Sequence, residues 1–223
     1  MIWIYNIIYF TLFVQLVGIL QIRSYAKIKE FLHEEHVGRL SSVDANGFPQ
    51  IIPMNFVFLN DAVYMHSHVK GEKLENISRN NKVGFEVDRE LEFLPSYFDD
   101  PHNAALADTL YISVVIKGKA VFVEDDDEKA FGLNELMKKY QPEGNYIPIQ
   151  NNDLVLDEVA VIKVIPDSIK GKYKIGQQLR SDSRQILAQK ILERNSHTSR
   201  QTLKIMGFEE TSDGLKMVDE PVW

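Results

Sequence analysis

A group of side chains suited to phosphate binding lies in the stretch from His66 to Lys73. Ser67 supplies a hydroxyl, Gly71 a flexible backbone, and Lys70 and Lys73 two ammonium groups. The stretch joins a predicted strand to the start of a predicted helix, where free backbone N–H groups and the helix dipole favour an anion. Each charge-assisted hydrogen bond there would contribute about 1.5–3 kcal/mol. Taken alone, the pattern is more typical of solvated surface lysines. The choice between these lysines and a phosphate site therefore depends on the rest of the sequence.

Histidine spacing offers a metal site as an alternative. His66 and His68 stand at positions i and i+2 of the predicted strand, so their side chains point to the same face. No third ligand is identified near them, and a polar strand end that faces a ligand is the stronger interpretation. His33 and His36 are three residues apart rather than the four of the zinc-protease helix motif, and the two glutamates between them indicate a helix surface. We therefore expect no metal site.

Composition and missing motifs exclude other chemistry. The chain has no cysteine, which removes disulfides, thiolate metal sites and a cysteine nucleophile, and fits a reducing compartment. A net charge of −7 argues against nucleic acid as a partner, although a local patch around Lys170, Lys172 and Lys174 remains. Neither a P-loop nor a GxSxG nucleophile motif is present.

The first half of the domain that must position these residues reads as a helix followed by hairpins. Apolar positions at helical spacing predict a helix over residues 24–35, and alternation predicts strands over 36–43, 48–58 and 62–68. The pair Asn46-Gly47 is the strongest hairpin signal. Because prolines cannot donate to a sheet ladder, Pro49 and Pro53 predict a second strand at an edge, at a bulge or beside a ligand.

The second half adds long strands and peripheral helices. Helices are predicted over 72–79, 125–140 and 182–194, and strands over 82–87, 109–124 (bent at Gly118) and 156–165. Residues 89–108 form an unusually long connection and a candidate functional loop. Strands linked by hairpins, rather than alternating with helices, predict a mainly antiparallel β-barrel decorated by helices.

The ends of the chain read differently from this domain. Residues 1–22 are apolar and uncharged, and three interpretations stay open: a membrane anchor, a segment packed on the domain or its partner subunit, and a mis-assigned start. Arg23, Lys27 and Lys29 follow the run, so an anchor would leave the domain cytoplasmic. We predict one domain over residues 23–195 and a C-terminal extension over 196–223.

Ordered motifs resemble the FMN-binding split-barrel group related to pyridoxamine 5′-phosphate oxidase, especially its nitroimidazole-resistance-like branch. The resemblance covers roughly residues 25–195. The chain departs from the pattern of this group at Asn81, at Gln178 and at the bulky His68. The motifs that carry it are Pro53-Met54-Asn55-Phe56, Tyr64-Met65-His66-Ser67, Gly71-Glu72-Lys73, Phe85-Glu86-Val87-Asp88, the strand that contains Ser113, and Gly171 to Gln177.

The resemblance implies an antiparallel, Greek-key-like split barrel that forms a homodimer with one FMN at each end of the subunit interface. By the same resemblance, Pro53, Met54 and Asn55 border the isoalloxazine ring. The ribityl phosphate would be held by His66, Ser67, Lys70 and Lys73. Ser113 and Gln177 are further candidates, the latter from the partner chain.

The implied activity is that of a small FMN-dependent oxidoreductase acting on a small-molecule substrate, such as a nitro-aromatic or a pyridoxal-type vitamer. No residue identifies itself as a catalytic acid or base; His66 is more readily a phosphate ligand than a proton donor. Two alternatives stay open at this point. One is a non-enzymatic flavin-binding sensor or regulator, and the other is the same barrel binding haem or a deazaflavin.

Overall fold

The computed structural model describes residues 18–220. Most of the apolar segment at residues 1–22, with its three interpretations, therefore lies outside the described residues. Within the described range, no helix combines the length and apolarity that crossing a membrane requires. The helices are α1 (Tyr25–Glu34), α2 (Glu72–Arg79), α3 (Asp126–Tyr140), α4 (Val155–Glu158), α5 (Ser181–Arg194) and α6 (Ser199–Ile205). The strands are β1 (Gln21–Ile22), β2 (Val37–Val43), β3 (Pro49–Asn55), β4 (Val57–Leu59), β5 (Ala62–His68), β6 (Lys82–Leu94), β7 (Asp108–Phe122), β8 (Val159–Lys174), β9 (Phe208–Thr211) and β10 (Gly214–Met217).

The chain divides into two compact units. The first, called the sheet unit below, comprises Ala26–Val87 and Val114–Lys170. The second, called the terminal unit, comprises Asp88–Ser113 together with the described parts of Met1–Tyr25 and Gly171–Trp223. The predicted boundaries at residues 23 and 195 remain predictions.

An antiparallel sheet dominates the sheet unit. Its strand order is β3–β2–β6–β7–β8–β5–β4, so the β2–β3 and β4–β5 hairpins lie at opposite ends of the order. Helix α3 covers a buried cluster in which Ala130, Leu133 and Leu136 meet Val57 and Val161. Burying this apolar surface stabilises the unit at roughly 25 cal/mol per Å² removed from water. The prediction of a mainly antiparallel β fold with peripheral helices is confirmed.

The β2–β3 hairpin confirms two details of the sequence analysis. Gly47 has a φ of 88°, and the Asp44 carboxylate accepts the N–H groups of Asn46 and Phe48, each at 2.8 Å. β3 lies at the end of the strand order, as Pro49 and Pro53 require of their strand.

The strand predicted over residues 48–58 is wrong in one respect, because it is two strands that break at Phe56. The Tyr140 hydroxyl accepts the Phe56 N–H at 2.8 Å and lies 3.2 Å from the Phe56 carbonyl oxygen. Phe56 is completely buried, so these groups need a partner other than water. The tyrosine thus takes the place of a neighbouring strand.

Three boundaries also differ from their predictions. β6 continues to Leu94, seven residues past the predicted end at 87, because the alternation runs on through the buried Leu91. The loop expected over 89–108 is therefore shorter, with 3₁₀ turns at Ser96–Phe98 and Ala104–Leu106. Residues 155–158 are helical, so the strand predicted from residue 156 begins only at Val159. This strand, β8, runs on to Lys174, far past the predicted end at 165.

In the terminal unit, a buried carboxylate joins distant segments. Glu92 is 2% exposed and accepts from Arg194 at 2.8 Å, Ser196 at 2.6 Å and Thr198 at 2.9 Å. These contacts hold the connection between α5 and α6 against β6. The C-terminal stretch then forms α6 and the β9–β10 hairpin.

Candidate functional site

The turn between β5 and α2 brings the predicted phosphate ligands into one short segment of the sheet unit. His66 and Ser67 lie near the end of β5, where they pair with Val161 and Ala160 of β8. Lys70 lies in the connection, and Lys73 lies in the first turn of α2. The ladder fixes the two strand residues, and the helix start fixes the lysine.

Gly71 shapes the start of α2. Its φ of 146° is a conformation that L side chains rarely adopt, and an added Cβ would meet no atom within 4 Å. The glycine supplies no side-chain cap, while its carbonyl accepts the N–H groups of Leu74 and Glu75 at 3.0 and 3.3 Å. The first N–H groups of any helix lack an intrahelical acceptor. The open space and uncapped helix start therefore fit an anionic oxygen ligand.

The turn carries charges of both signs, with Lys70 and Lys73 against Glu72 and Glu75 of the first turn of α2. Partial desolvation, and then the charge of Lys73, lower the pKa of His66 below its ordinary value of 6.5. The imidazole is therefore mostly neutral at pH 7, and one nitrogen can donate to a ligand while the other accepts. A phosphate here would relieve the repulsion between Lys73 and a protonated His66.

His68, which the sequence analysis treated only as a bulky departure, closes the turn internally. Its Nδ1 accepts the Lys70 N–H at 3.1 Å, and its carbonyl oxygen accepts the Ser67 hydroxyl at 2.9 Å. These short-range bonds hold the backbone between Ser67 and Lys70 in one arrangement. The Ser67 hydroxyl must rotate away from that carbonyl to donate to a ligand.

A cavity of about 630 Å³ opens at this strand end. His66, Ser67 and His68 line one side, and Asp157 and Glu158 line it from the end of α4, just before β8. The sequence analysis missed both carboxylates, since residues 156–165 were predicted to be a strand with no functional signal. The cavity therefore combines hydrogen-bonding side chains with two carboxylates, which oppose negative charge on a ligand there.

The residues predicted to border a flavin ring divide between two faces of β3. Met54 is buried, whereas Pro53 and Asn55 are exposed and lie opposite Arg39 and Val37 of β2. Of these three residues, only Pro53 and Asn55 therefore present side chains on the exposed face of this hairpin. The predicted contact of Met54 with a ring would have to come from its backbone.

Two further candidates, Ser113 and Gln177, lie in the terminal unit. Ser113 is a half-buried residue of β7. The Gln177 amide is occupied locally: its oxygen accepts the Ile175 N–H at 2.9 Å, and its nitrogen donates to the Tyr173 carbonyl at 2.7 Å. In this structure Gln177 closes the turn after β8, and its predicted cofactor role stays a prediction.

Just before the site, Tyr64 of β5 is hydrogen-bonded to an ion pair between Glu128 and Lys163. The buried Tyr64 hydroxyl and the Lys163 ammonium group both donate to Glu128 at 2.7 Å. These two donors, Lys163 first, lower the pKa of Glu128, and burial raises the pKa of Tyr64. The carboxylate is therefore ionised at neutral pH and holds β5 to β8 and α3.

Comparison with known proteins places this geometry in context. Residues 24–173 match the sequence profile of the family described as pyridoxamine 5′-phosphate oxidase. No curated protein matches the chain. Among solved structures, a candidate 5-nitroimidazole antibiotic resistance protein from Bacteroides thetaiotaomicron is 25% identical with a TM-score of 0.59, covering 69% of this chain and 86% of its own.

Two more distant structures share the fold. The flavocytochrome Anf3 from Azotobacter vinelandii is 17% identical, with a TM-score of 0.60 and coverage of 74% of each chain. A protein from Mycobacterium smegmatis that binds FAD and haem is 15% identical, with a TM-score of 0.59, covering 75% of this chain and 79% of its own. The predicted split-barrel fold is confirmed.

Proposed function

The chain belongs to the pyridoxamine 5′-phosphate oxidase family, and we propose that it binds a flavin, FMN, and acts as a small oxidoreductase. The observation that carries this proposal is the β5–α2 turn, where His66, Ser67 and Lys73 surround an uncapped helix start. When bound, the flavin supplies hydride or electron transfer, and the protein supplies binding and orientation.

The turn holds the phosphate of this flavin. Lys73 and the first N–H groups of α2 contribute charge and donors, and Ser67 adds a hydroxyl. Lys70 strengthens the local positive potential from the connection. The neutral His66 donates one N–H without adding a second positive charge to the site.

FMN rather than FAD is proposed because the motifs of the chain resemble the FMN-binding split-barrel group. The carboxylates of Asp157 and Glu158 line the same cavity as His66 and Ser67, so they oppose the phosphate of FMN and the diphosphate of FAD alike.

The exposed face of the β2–β3 hairpin borders the isoalloxazine ring in this proposal. The side chains of Pro53 and Asn55 and the backbone at Met54 provide its contacts. Since that face is open, a second copy of the chain completes the site in a homodimer. Ser113 and, from the second copy, Gln177 stay further candidates for flavin contact. The substrate, a small molecule, takes the remaining open face of the flavin.

Purified full-length protein tests the proposal directly. Flavin absorbance, release of FMN rather than FAD identified by mass, and a dimeric mass by light scattering are expected. Bleaching by a reduced nicotinamide donor supports an oxidoreductase, whereas a bound flavin that no donor reduces would leave a sensor. A haem band, or colourless protein that fails to take up FMN at micromolar concentration, would overturn the cofactor assignment.

A further inference from the structure

The terminal unit contains its own cavity, of about 520 Å³. Its walls come from the end of β6 with the 3₁₀ turn after it, the start of β7, the turn after β8, and helix α5. Apolar side chains predominate, among them Leu94, Phe98, Leu110 and Leu187. A concave, mainly apolar cavity of this size is typical of a small-molecule site.

Helix α5 has one face that is buried in the unit and a second face that lines the cavity. Arg184, Ala188 and Ile191 are buried within the unit. The cavity is lined instead by Ser183, Ile186, Leu187 and Lys190, at the i, i+3, i+4 and i+7 spacing of a second helical face. Ile186, on the second face, stays exposed although the helix is docked by its first face, so packing within the described residues does not bury it.

Two of the cavity's apolar side chains are unusually exposed. Ile186 is 57% and Leu106 42% exposed, and they belong to α5 and to the 3₁₀ turn before β7. Single exposed apolar residues are ordinary, but these two line the same concave site and expose apolar surface to solvent there. A ligand that covers both would remove that surface from water.

The charges at the cavity are already neutralised by one another. Lys190 lies 3.3 Å from Asp99, and Lys174 lies 2.5 Å from Asp108. Neither sign of charge is therefore in excess for a charged ligand to pair with. The hydroxyl of Ser183 and the amide of Gln178 remain as neutral hydrogen-bonding groups at the lining.

Side chains of α5 hold the opposite wall in position. Lys190 donates to the backbone carbonyl of Phe98 in the 3₁₀ turn. One turn later, Arg194 donates to the carbonyl of Phe93 and to Glu92. These hydrogen bonds join α5 to the opposite wall of the cavity, so the cavity exists before a ligand binds. Little ordering entropy therefore opposes binding.

We propose that this cavity binds an uncharged, mainly apolar small molecule that carries one hydrogen-bonding group, in contact with Ile186, Leu106 and Ser183. The cavity shares no residue with the β5–α2 turn, and this proposal does not rest on the proposed function.

Full-length protein titrated with N-phenyl-1-naphthylamine, an uncharged dye that fluoresces in apolar surroundings, tests the proposal. Saturable fluorescence with one dye per chain is expected, and 1-naphthol should displace the dye at concentrations at least 10-fold lower than anionic 1-naphthoate. Fluorescence that never saturates, or equal displacement by the two competitors, would overturn the proposal.

A charged substitution locates the site. Ile186→Glu places a carboxylate on the wall at an exposed position, so folding should tolerate it while dye affinity falls at least 10-fold. The matched control is Ile147→Glu, at an isoleucine of the sheet unit that is 91% exposed and should leave dye binding unchanged. Circular dichroism confirms that both variants fold. Equal binding by both folded variants would reject this cavity, whether or not the protein carries flavin.

Discussion

The Tyr140 hydroxyl accepts the backbone N–H of Phe56 at 2.8 Å, across 84 residues of sequence. Tyr140 is the last residue of α3, and Phe56 is the single residue between β3 and β4. The same hydroxyl also donates towards the carbonyl oxygens of His36 and Phe56. One phenol therefore fixes the chain immediately after Met54 and Asn55, which border the proposed flavin ring.

Replacing Tyr140 with Phe should destabilise the protein. The buried Phe56 N–H would lose its partner, which costs about 1–3 kcal/mol in the free energy of unfolding. Urea denaturation measures the change, and Tyr97→Phe, at an exposed ring, is the matched control. If Tyr140→Phe and the control unfold at the same urea concentration, the hydroxyl does not brace this break.

Removing the ammonium group of Lys73 should weaken FMN selectively. Lys73→Ala is expected to raise the FMN dissociation constant about 10-fold or more, since a charge-assisted contact is lost. Riboflavin lacks the phosphate and should bind almost unchanged. Fluorescence quenching of both flavins measures this, with Lys82→Ala, an exposed lysine at the start of β6, as control. Equal losses for both ligands would argue against a phosphate site.

The ionisation of His66 should follow the charge of Lys73. NMR titration should give a pKa below 6.5 in the flavin-free protein; Lys73→Ala should raise it, and Lys70→Ala should leave it in place. Because folding lowers this pKa, the neutral histidine supports stability above pH 6.5, and that contribution is lost as the pH falls through the folded pKa. A His66 pKa at or above 6.5 would contradict the assigned environment.

Gly118 should tolerate no side chain. A Cβ there would lie 2.3 Å from the Ile165 carbonyl oxygen, which is backbone and cannot turn away. Gly118→Ala should cost about 1–3 kcal/mol in the free energy of unfolding through overpacking. At Gly84 an added Cβ would meet its nearest neighbour at 3.7 Å, so Gly84→Ala should be neutral or stabilising. Thermal unfolding measures the stability of both variants. Equal melting temperatures would refute the close approach of Gly118 to the Ile165 carbonyl.

Neutralising Glu92 should loosen the C-terminal part of the terminal unit. Glu92→Gln removes the carboxylate that accepts from Arg194, at a cost of about 1–3 kcal/mol in the free energy of unfolding for a charge-assisted hydrogen bond with one buried partner. Limited proteolysis should then cleave near residues 195–199 faster than in the wild type. Glu90→Gln, at an exposed position of the same strand, should not change the rate. Unchanged cleavage in Glu92→Gln would show that the cluster is dispensable.

The elements with a regular pattern followed from the sequence. The spacing of apolar residues predicted α1, α2, α3 and α5 closely, because each helix buries one face and its periodicity records that face. The Asn46-Gly47 hairpin and the edge position of β3 followed from local backbone preferences. The β5–α2 turn could be identified because its donors lie within eight consecutive residues.

Partners far apart in the chain were beyond such patterns. Glu92 accepts a hydrogen bond from Thr198, 106 residues away. Without knowledge of such donors, an acidic residue inside a strand is predicted to be exposed to solvent. Likewise, β8 runs on to Lys174 beside β1, where Gln21 pairs with Lys172. Neither partner can be recognised from its own neighbourhood.

By itself, the sequence determined the barrel class, the family resemblance and the position of the β5–α2 turn, because each depends on residues that are close together in the chain. Only the tertiary structure decided that Tyr140 breaks a strand, that Asp157 and Glu158 share a cavity with His66, and that α5 lines a second cavity. Those features arise from side chains that folding brings together, and no periodicity records which distant partner satisfies a buried polar group.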